Sequence, residues 1–302
     1  MIFVTGATGY VGKNVVKKLV ANGIEVCCLE HKSKIKAAKE SFCSRVIEAD
    51  VRDKLAIAVA CCGVEIIVHL VAIIRETKDA SFKDINVEGV KNIVRAAKEN
   101  GAKHFVHISA LGVCDNPKFK YAYSKWLGEQ EVINSGLNYT IIRPSLIFGP
   151  GGFGFIDRML QAINMMPGIV AVPGGGKTKF QPIHVSDVAK CVLCVVEQPS
   201  KYTGKIIEIG GLKHLTYEYM LDVLMDTIGV KKIKLHVPIP FVYLGALVMQ
   251  NLLSDPPVTT VELAQLKLDN ITDLQSVEKE FGFKPIRYED GIAYVKQKMN
   301  IA

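Results

Sequence analysis

The sequence predicts an α/β protein with a doubly wound parallel sheet and a smaller C-terminal region. Three observations carry this expectation. Through the first half of the chain, short apolar runs of strand length alternate with stretches of helical period. Several of those runs are apolar at nearly every position, as parallel strands buried on both faces require. A glycine-rich turn separates the first run from the first helical stretch, which places it at the end of a strand where such sheets bind their ligands. The expected architecture is of Rossmann type.

The first run is Ile2, Phe3 and Val4, followed by Gly6, Gly9 and Gly12 in the spacing G-x-x-G-x-x-G. Val11, Val15, Val16, Leu19 and Val20 then recur at helical spacing, so the unit reads strand, tight turn, helix. A glycine permits the tight turn, a second lets a pyrophosphate approach the backbone, and a third lets the helix pack closely on the strand. The amides and positive dipole end of the helix would then meet the phosphates through Gly6, Thr8, Gly9, Tyr10, Val11 and Gly12. Asn22-Gly23 closes this helix, and Ile24 to Leu29 forms a second strand. Glu30 ends it, 18 residues after Gly12 (30 − 12), close to the roughly 20 expected of an acid that binds an adenosine ribose.

The cofactor expected is therefore NAD(H) or NADP(H). Glu30 would repel a 2′-phosphate and favours NAD(H), whereas His31, Lys32, Ser33 and Lys34 can hold that phosphate if Glu30 turns away. Arg45 to Ala49 reads as a third strand ending at Asp50-Val51. An acid in this stretch, followed by Arg52-Asp53, can accept from an adenine amino group or cap the helix that begins at Lys54; both readings stand. Glu65 to Val71 is a fourth strand, running into Leu70, Val71 and Ala72. Asn86 to Asn100 is helical in period, Gly101 stops it, and Lys103 to Ser109 is a fifth strand.

Ser109 thus sits at a strand end. Tyr121 and Lys125 follow, four apart and so on one helix face. The reference pKa of tyrosine is about 10, but an adjacent ammonium favours the phenolate. Tyr121 would then move a proton to or from a hydroxyl or carbonyl, with Lys125 on the nicotinamide ribose and Ser109 hydrogen-bonded to the same oxygen.

At 302 residues the chain suits two domains, and with 49% hydrophobic and 22% charged residues it has ordinary globular usage. The net charge of +7, from 37 basic and 30 acidic residues, suits a phosphate-bearing ligand but also ordinary solvated faces. No helix-turn-helix, zinc-finger or RNP-like pattern supports nucleic-acid binding. The eight cysteines are expected to be buried, reduced thiols, with Cys27-Cys28 in a strand and the Cys191-x-x-Cys194 pair inside a helix without further zinc ligands. No metal site is expected, and without a signal peptide the expected compartment is cytoplasmic, with attachment to a membrane periphery left open.

The motifs T-G-A-T-G-Y-V-G, Ser109, Tyr121-x-x-x-Lys125, R-P-S-L-I-F-G-P (Arg143 to Pro150) and Q-P-I-H-V-S-D-V-A (Gln181 to Ala189) resemble those of the extended and atypical short-chain dehydrogenase/reductases, the NAD-dependent epimerase/dehydratase-like group. V-P-I-P (Val237 to Pro240) and D-P-P-V-T (Asp255 to Thr259) resemble the branch that contains the nucleotide-binding accessory subunit of respiratory complex I and its bacterial relatives. The resemblance implies Leu70 to Ala72 beside the adenosine, Pro144 near the nicotinamide, and Asn86 in a catalytic group with Ser109, Tyr121 and Lys125. It implies an oxidoreductase or epimerase/dehydratase-like enzyme acting on a hydroxyl, carbonyl or sugar-nucleotide substrate. The alternative it implies is a non-catalytic accessory or assembly protein. Only 12 residues separate Ser109 from Tyr121 (121 − 109), fewer than in the sugar-nucleotide enzymes of the superfamily.

Residues 1–150 are expected to form the dinucleotide domain, completed by about 184–230. Residues 151–183 and 231–302 are expected to form the smaller substrate-cleft region. A helix is expected near Ile156 to Met166. P-G-G-G-K-T (Pro173 to Thr178) lacks the first glycine of a phosphate loop, since that position is Ala171, and reads as a glycine-rich hairpin or cleft loop. His184 and Asp187 resemble residues that secure the chain's return to the nucleotide domain. A strand at Lys205 to Ile209 and a helix at Tyr217 to Ile228 follow. Phe241 to Leu253, an apolar helical run of 13 residues, is too short to span a bilayer. It reads as core or cleft lid, or, with Lys231, Lys232 and Lys234, as a face for a membrane surface or a respiratory-complex partner through residues 231–253.

Overall fold

The computed structural model describes every residue except 32–42, 153, 253–262, 264–267 and 297–302. Lys32, Ser33, Lys34 and the stretch Asp255 to Thr259 therefore lie outside the described residues. The chain divides into two compact units, Met1–Pro144 with Val185–Ile209, and Ser145–His184 with Gly210–Ala302.

In the first unit the apolar runs form the strands β1 (Ile2–Thr5), β2 (Val26–Glu30), β3 (Arg45–Glu48), β4 (Ile66–His69), β5 (His104–Ile108), β6 (Tyr139–Pro144) and, returning late in the chain, Lys205–Ile209. They make one seven-stranded sheet. Its order is Lys205–Ile209, β6, β5, β4, β1, β2, β3, and every pairing is parallel. The winding reverses between β1 and β4, so the glycine turn after β1 lies at the switch point of a doubly wound, Rossmann-type sheet. Helix α1 (Tyr10–Ala21) packs against the helix Val185–Glu197. On another side, α2 (Lys54–Ala60), α3 (Val90–Glu99) and α4 (Lys120–Ile133) pack in succession. Their buried Ile57, Ile93 and Val132 share one core with Phe3, Ile67, Phe105 and Ile141 of the strands.

Local chemistry explains several element boundaries. Asp53 is the N-cap of α2, accepting from the amides of Leu55 and Ala56, which decides that acid's role in favour of the helix. The segment before α3 is a π-helix, Lys83–Gly89, rather than the start of the α-helix expected from Asn86 onward. Cys28 and Cys43 are joined as a disulfide, with their Cα atoms 6.2 Å apart, and this corrects the expectation of reduced thiols throughout. Cys27, Cys61 and Cys191 are buried and free, as small hydrophobes in strand or helix should be.

The second unit pairs its strands two at a time: Ile147–Phe148 with Ile183–His184, Leu215–Thr216 with Lys179–Phe180, and β7 (Ile233–Val237) with Ile169–Pro173. The glycine-rich stretch after Pro173 is thus a connecting turn and not a hairpin, because the strands on its two sides pair elsewhere. Phe148, Ile156, Leu160, Val172, Leu221 and Tyr288 centre this unit's core. Helix α5 (Ile239–Leu252) follows β7 and carries no charged residue. Among the described residues no helix is long and apolar enough to cross a membrane.

Candidate functional site: a glycine turn, a strand-end serine and the buried face of α4

The turn after β1 is built so that only glycine fits. Gly6 has φ +75°, and a side chain there would also meet the Leu70 carbonyl carbon and the Val71 amide at 3.1 Å. A Cβ at Gly12 would overlap the Gly6 carbonyl oxygen outright. The Gly9 amide closes the turn onto that same oxygen at 3.0 Å. Gly9 is the N-cap and offers no capping side chain, and the first turn of α1 holds no acid. The first amides of α1 have no acceptor within the helix, so the turn is a bare, electropositive cradle suited to a pyrophosphate.

The adenosine side is mixed. Glu30 ends β2 and is almost wholly buried, in register beside Glu48 of β3. The Asp50 carboxylate is held bidentately by Arg52, at 2.9 and 2.7 Å, and lies 3.2 Å from His31. Arg52 holds its pKa below the ordinary carboxylate range. Val51 turns into the core, where its carbonyl accepts from Asn92 at 3.0 Å. Leu70 and Val71 lie against Gly6, beside the cradle.

At the other end, the Ser109 amide donates to Ile142 of β6 at 2.8 Å, which fixes the residue at the tip of β5. Its hydroxyl oxygen is buried and has no hydrogen-bond partner among the described residues. A buried hydroxyl left so exposes an unmet demand for a hydrogen bond, which a ligand oxygen would satisfy. Pro144 ends β6, and its carbonyl accepts from Leu111 at 2.9 Å. Tyr121 and Lys125 share α4. Burial pushes the Tyr121 phenol up to about 12 and the Lys125 ammonium down to about 8. Lys125 Nζ donates to the Ile108 carbonyl at 2.9 Å, so the ammonium is anchored to β5. Desolvation outweighs the lysine effect expected on the phenol, and Tyr121 is a neutral phenol at neutral pH.

Asn86 lies in the π-helical segment and is 1% exposed. Its amide donates to the Ile73 carbonyl and to Ser124 Oγ, both at 3.0 Å, and accepts from the Ile73 amide at 2.9 Å. The π-helical turn brings it onto α4 immediately before Lys125. A side chain at Gly128 would run into the Asn86 carbonyl at 2.5 Å, so that glycine lets the two segments touch. Ser124, Glu129, Arg143 and the pair His69 and His107 were not singled out from the sequence. Ser124 lies inside Tyr121-x-x-x-Lys125 and Arg143 opens R-P-S-L-I-F-G-P, but neither motif points to their contacts. Among the described residues no cluster of histidine, cysteine and carboxylate groups could hold a metal.

The glycine cradle after β1, the acid that ends β2 and the serine at the tip of β5 are the features of a dinucleotide-binding α/β protein. The chain belongs to the NAD dependent epimerase/dehydratase family, whose sequence model matches residues 2–210. The cofactor of this family is a nicotinamide dinucleotide, in agreement with the NAD(H) or NADP(H) expected above. Among curated proteins it is similar to NADH dehydrogenase [ubiquinone] 1 alpha subcomplex subunit 9, mitochondrial, of Arabidopsis thaliana: 27% identical, covering 74% of this chain and 57% of that protein. It is also similar to a putative UDP-glucose 4-epimerase of Methanocaldococcus jannaschii, 28% identical over 76% of this chain and 83% of the other. The chain thus spans little more than half of that mitochondrial relative. Among solved structures, UDP-glucuronic acid 4-epimerase from Bacillus cereus, in complex with UDP-glucuronic acid and NAD, shares the fold with a TM-score of 0.77, at 18% identity over 99% of each chain.

Proposed function

We propose that this chain is a dinucleotide-dependent oxidoreductase or epimerase/dehydratase-like enzyme acting on a hydroxyl, carbonyl or sugar-nucleotide substrate. The observation that carries the reading is the buried Ser109 hydroxyl at the tip of β5, unpartnered among the described residues, on the unit that also holds Tyr121 and Lys125. When bound, the nicotinamide ring supplies hydride transfer. The chain's own groups do the rest. The glycine cradle and α1 hold the pyrophosphate, Glu30 the adenosine ribose, and Lys125 the nicotinamide ribose. Leu70 to Ala72 line the adenosine and Pro144 the nicotinamide. Ser109 orients the substrate oxygen, and Tyr121, protonated at neutral pH, gives its proton to that oxygen as the carbonyl is reduced, or recovers it in the reverse direction. Asn86 holds Ser124 and the start of α4 in place.

The test is turnover followed by nicotinamide absorbance with carbonyl and sugar-nucleotide candidates. Tyr121→Phe should abolish it with the nucleotide still bound; unchanged turnover in that variant would remove the role given to Tyr121. In a melting assay NAD(H) should raise Tm more than NADP(H), because the buried Glu30 carboxylate opposes a 2′-phosphate; the reverse order would overturn the preference.

A second reading is favoured by a separate observation. Phe241, Leu244 and Val248 of α5 are 68, 59 and 50% exposed, and mitochondrial complex I subunits are among the similar proteins. In that reading the dinucleotide is structural and the stretch 231–253 meets a membrane surface or a respiratory partner. Tight nucleotide retention without redox change, together with co-purification of respiratory subunits, would support it.

A further inference from the structure

The buried face of α4 carries more charge than cofactor contact alone explains. Glu129 lies one turn beyond Lys125 and is fully buried. Arg143 of β6 grips it bidentately, Nε to one carboxylate oxygen at 2.9 Å and Nη2 to the other at 2.6 Å. Arg143 also stands 3.7 Å from Glu208 on the neighbouring strand. In the sheet, His69 of β4 and His107 of β5 are register partners, with rings stacked 11° from parallel and centroids 5.5 Å apart. His69 Nδ1 shares a hydrogen bond with Thr5 Oγ1 at 2.7 Å. Its Nε2, and both ring nitrogens of His107, are buried with no protein partner among the described residues.

Three buried bases therefore share one region: Lys125, His69 and His107. Burial lowers the pKa of all three, and the lysine charge lowers both imidazoles further. The remaining groups packed on α4 add little charge at this point. The π-helical segment presents the amide of Asn86, α3 presents Val90 near Gly128, and Lys98 reaches only the Ser135 carbonyl past the far end of α4. On α4 itself Tyr121 is a neutral phenol. The carboxylate that raises the Lys125 pKa is Glu129. A low-dielectric interior accommodates one such cation beside one carboxylate far more readily than a second cation on an imidazole.

We propose that Glu129, clamped by Arg143, is a positioning residue that makes Lys125, rather than His69 or His107, the protonated base of this cluster, and so sets the pH range over which the chain holds its dinucleotide. The proposal rests on the reading that Lys125 faces the bound cofactor. Across one helical turn, with Arg143 offsetting part of its charge, Glu129 holds the lysine pKa up against the effect of burial.

Calorimetric titration of the full chain with NAD from pH 6 to 9.5 tests it. Wild-type affinity should fall through about pH 8 as Lys125 loses its proton. In Glu129→Gln the fall should centre at lower pH, leaving affinity near the wild-type value at pH 6 and several-fold weaker at pH 8. Glu129→Asp should restore the wild-type centre. An unshifted profile in Glu129→Gln overturns the inference. Should that variant not fold, Lys125→Met leaves the Glu129–Arg143 pair intact, and histidine NMR reads the cluster directly. His69 and His107 should be neutral at pH 7 in the wild type, and in Lys125→Met their titration should move upward; a wild-type imidazolium at pH 7, or no movement, overturns the inference. Wild-type chain that gives no heat with NAD at any pH defeats the functional reading instead, while the histidine measurement still decides the charge assignment.

Discussion

The first unit keeps charge inside, and the second leaves apolar surface outside. Lys125, Glu129, Glu30, His69 and His107 are all 2% exposed or less. In the second unit Ile233 of β7 and Phe241 of α5 are 74 and 68% exposed. Both depart from the ordinary partition, in opposite directions, and the departures differ in how they are offset. The buried charges are met within the chain: Lys125 by the Ile108 carbonyl, Glu129 by Arg143. On α5, Phe241, Leu244 and Val248 keep half or more of their surface exposed. The contrast teaches that buried charge is tolerated where a partner from the same chain meets it, whereas exposed apolar surface costs free energy that contact with another surface would recover.

The sharpest way to break the first half of this comparison is Gly12→Ala. The added methyl group would collide with the backbone oxygen of Gly6, which cannot swing aside as a side-chain tip could. The expected cost is on the order of 3 kcal/mol or more, a large part of a domain's stability, with no calorimetric response to NAD. Gly23→Ala is the control. Its φ of +74° is left-handed, as that of Gly12 is not, yet nothing lies within 4 Å of the new atom, so it should cost only about 1 kcal/mol and leave binding intact. If the two variants melt alike, the cradle is not the close-packed element described above.

The cradle was legible in the sequence because its physics is local: a strand, three glycines and a helix within a dozen residues, with Glu30 on the next strand. Strand–helix alternation fixed the parallel sheet for the same reason. What escaped is non-local. Glu129 and Arg143 meet only when α4 lies over β6, and His69 stacks on His107 only because β4 and β5 pair in that register. The stretch after Pro173 fits a hairpin or a cleft loop by its glycines, and the hairpin falls because its flanking strands find partners more than thirty residues away in sequence. The Cys28–Cys43 pairing could not be chosen from eight cysteines by spacing. Helix α5 reads as core from composition alone, since a helix apolar on every side is usually buried.

Acid titration sharpens the comparison at intermediate cost. His69 and His104 are pushed down from 6.5 to about 3 and about 4 by burial, and His107 lies well below its ordinary value. In the unfolded chain these imidazoles take up protons near pH 6.5, and in the folded protein they do not. Their contribution to stability is therefore complete above pH 6.5 and is lost as pH falls toward those lowered values. The urea midpoint should drop steadily between pH 6.5 and 4, with His104 contributing part of the loss. His104→Gln should make the slope shallower. Lys125 acts in the opposite window: between about pH 8 and 10.5 the unfolded chain binds the extra proton, so its burial penalty is relieved as pH rises. A midpoint independent of pH from 6.5 to 4 would mean that the buried imidazoles are hydrated and titrate normally.

The smallest effect on stability, and the one that bears on the second unit, comes from α5. Pro240, Phe241, Tyr243, Leu244, Leu247 and Val248 are exposed and cover roughly half of the helix circumference, opposite the buried Ala246. The lysines that were expected to flank a membrane face are largely engaged within the chain. Lys232 reaches the carbonyls of Ile163 and Met166, and Lys234 lies 2.7 Å from Glu218 and 3.0 Å from Asp222. Any attraction of this surface to a bilayer must then come from apolar area more than from charge. Leu244→Glu and Phe241→Glu should leave the denaturation midpoint within about 0.5 kcal/mol of wild type, because both side chains are more than half exposed. The same variants should sharply reduce sedimentation with vesicles of neutral phosphatidylcholine, and added salt should change little. A large loss of stability in either variant would show that the helix face is already covered by its own chain. Binding that survives the glutamates but vanishes in salt would return the role to the basic side chains.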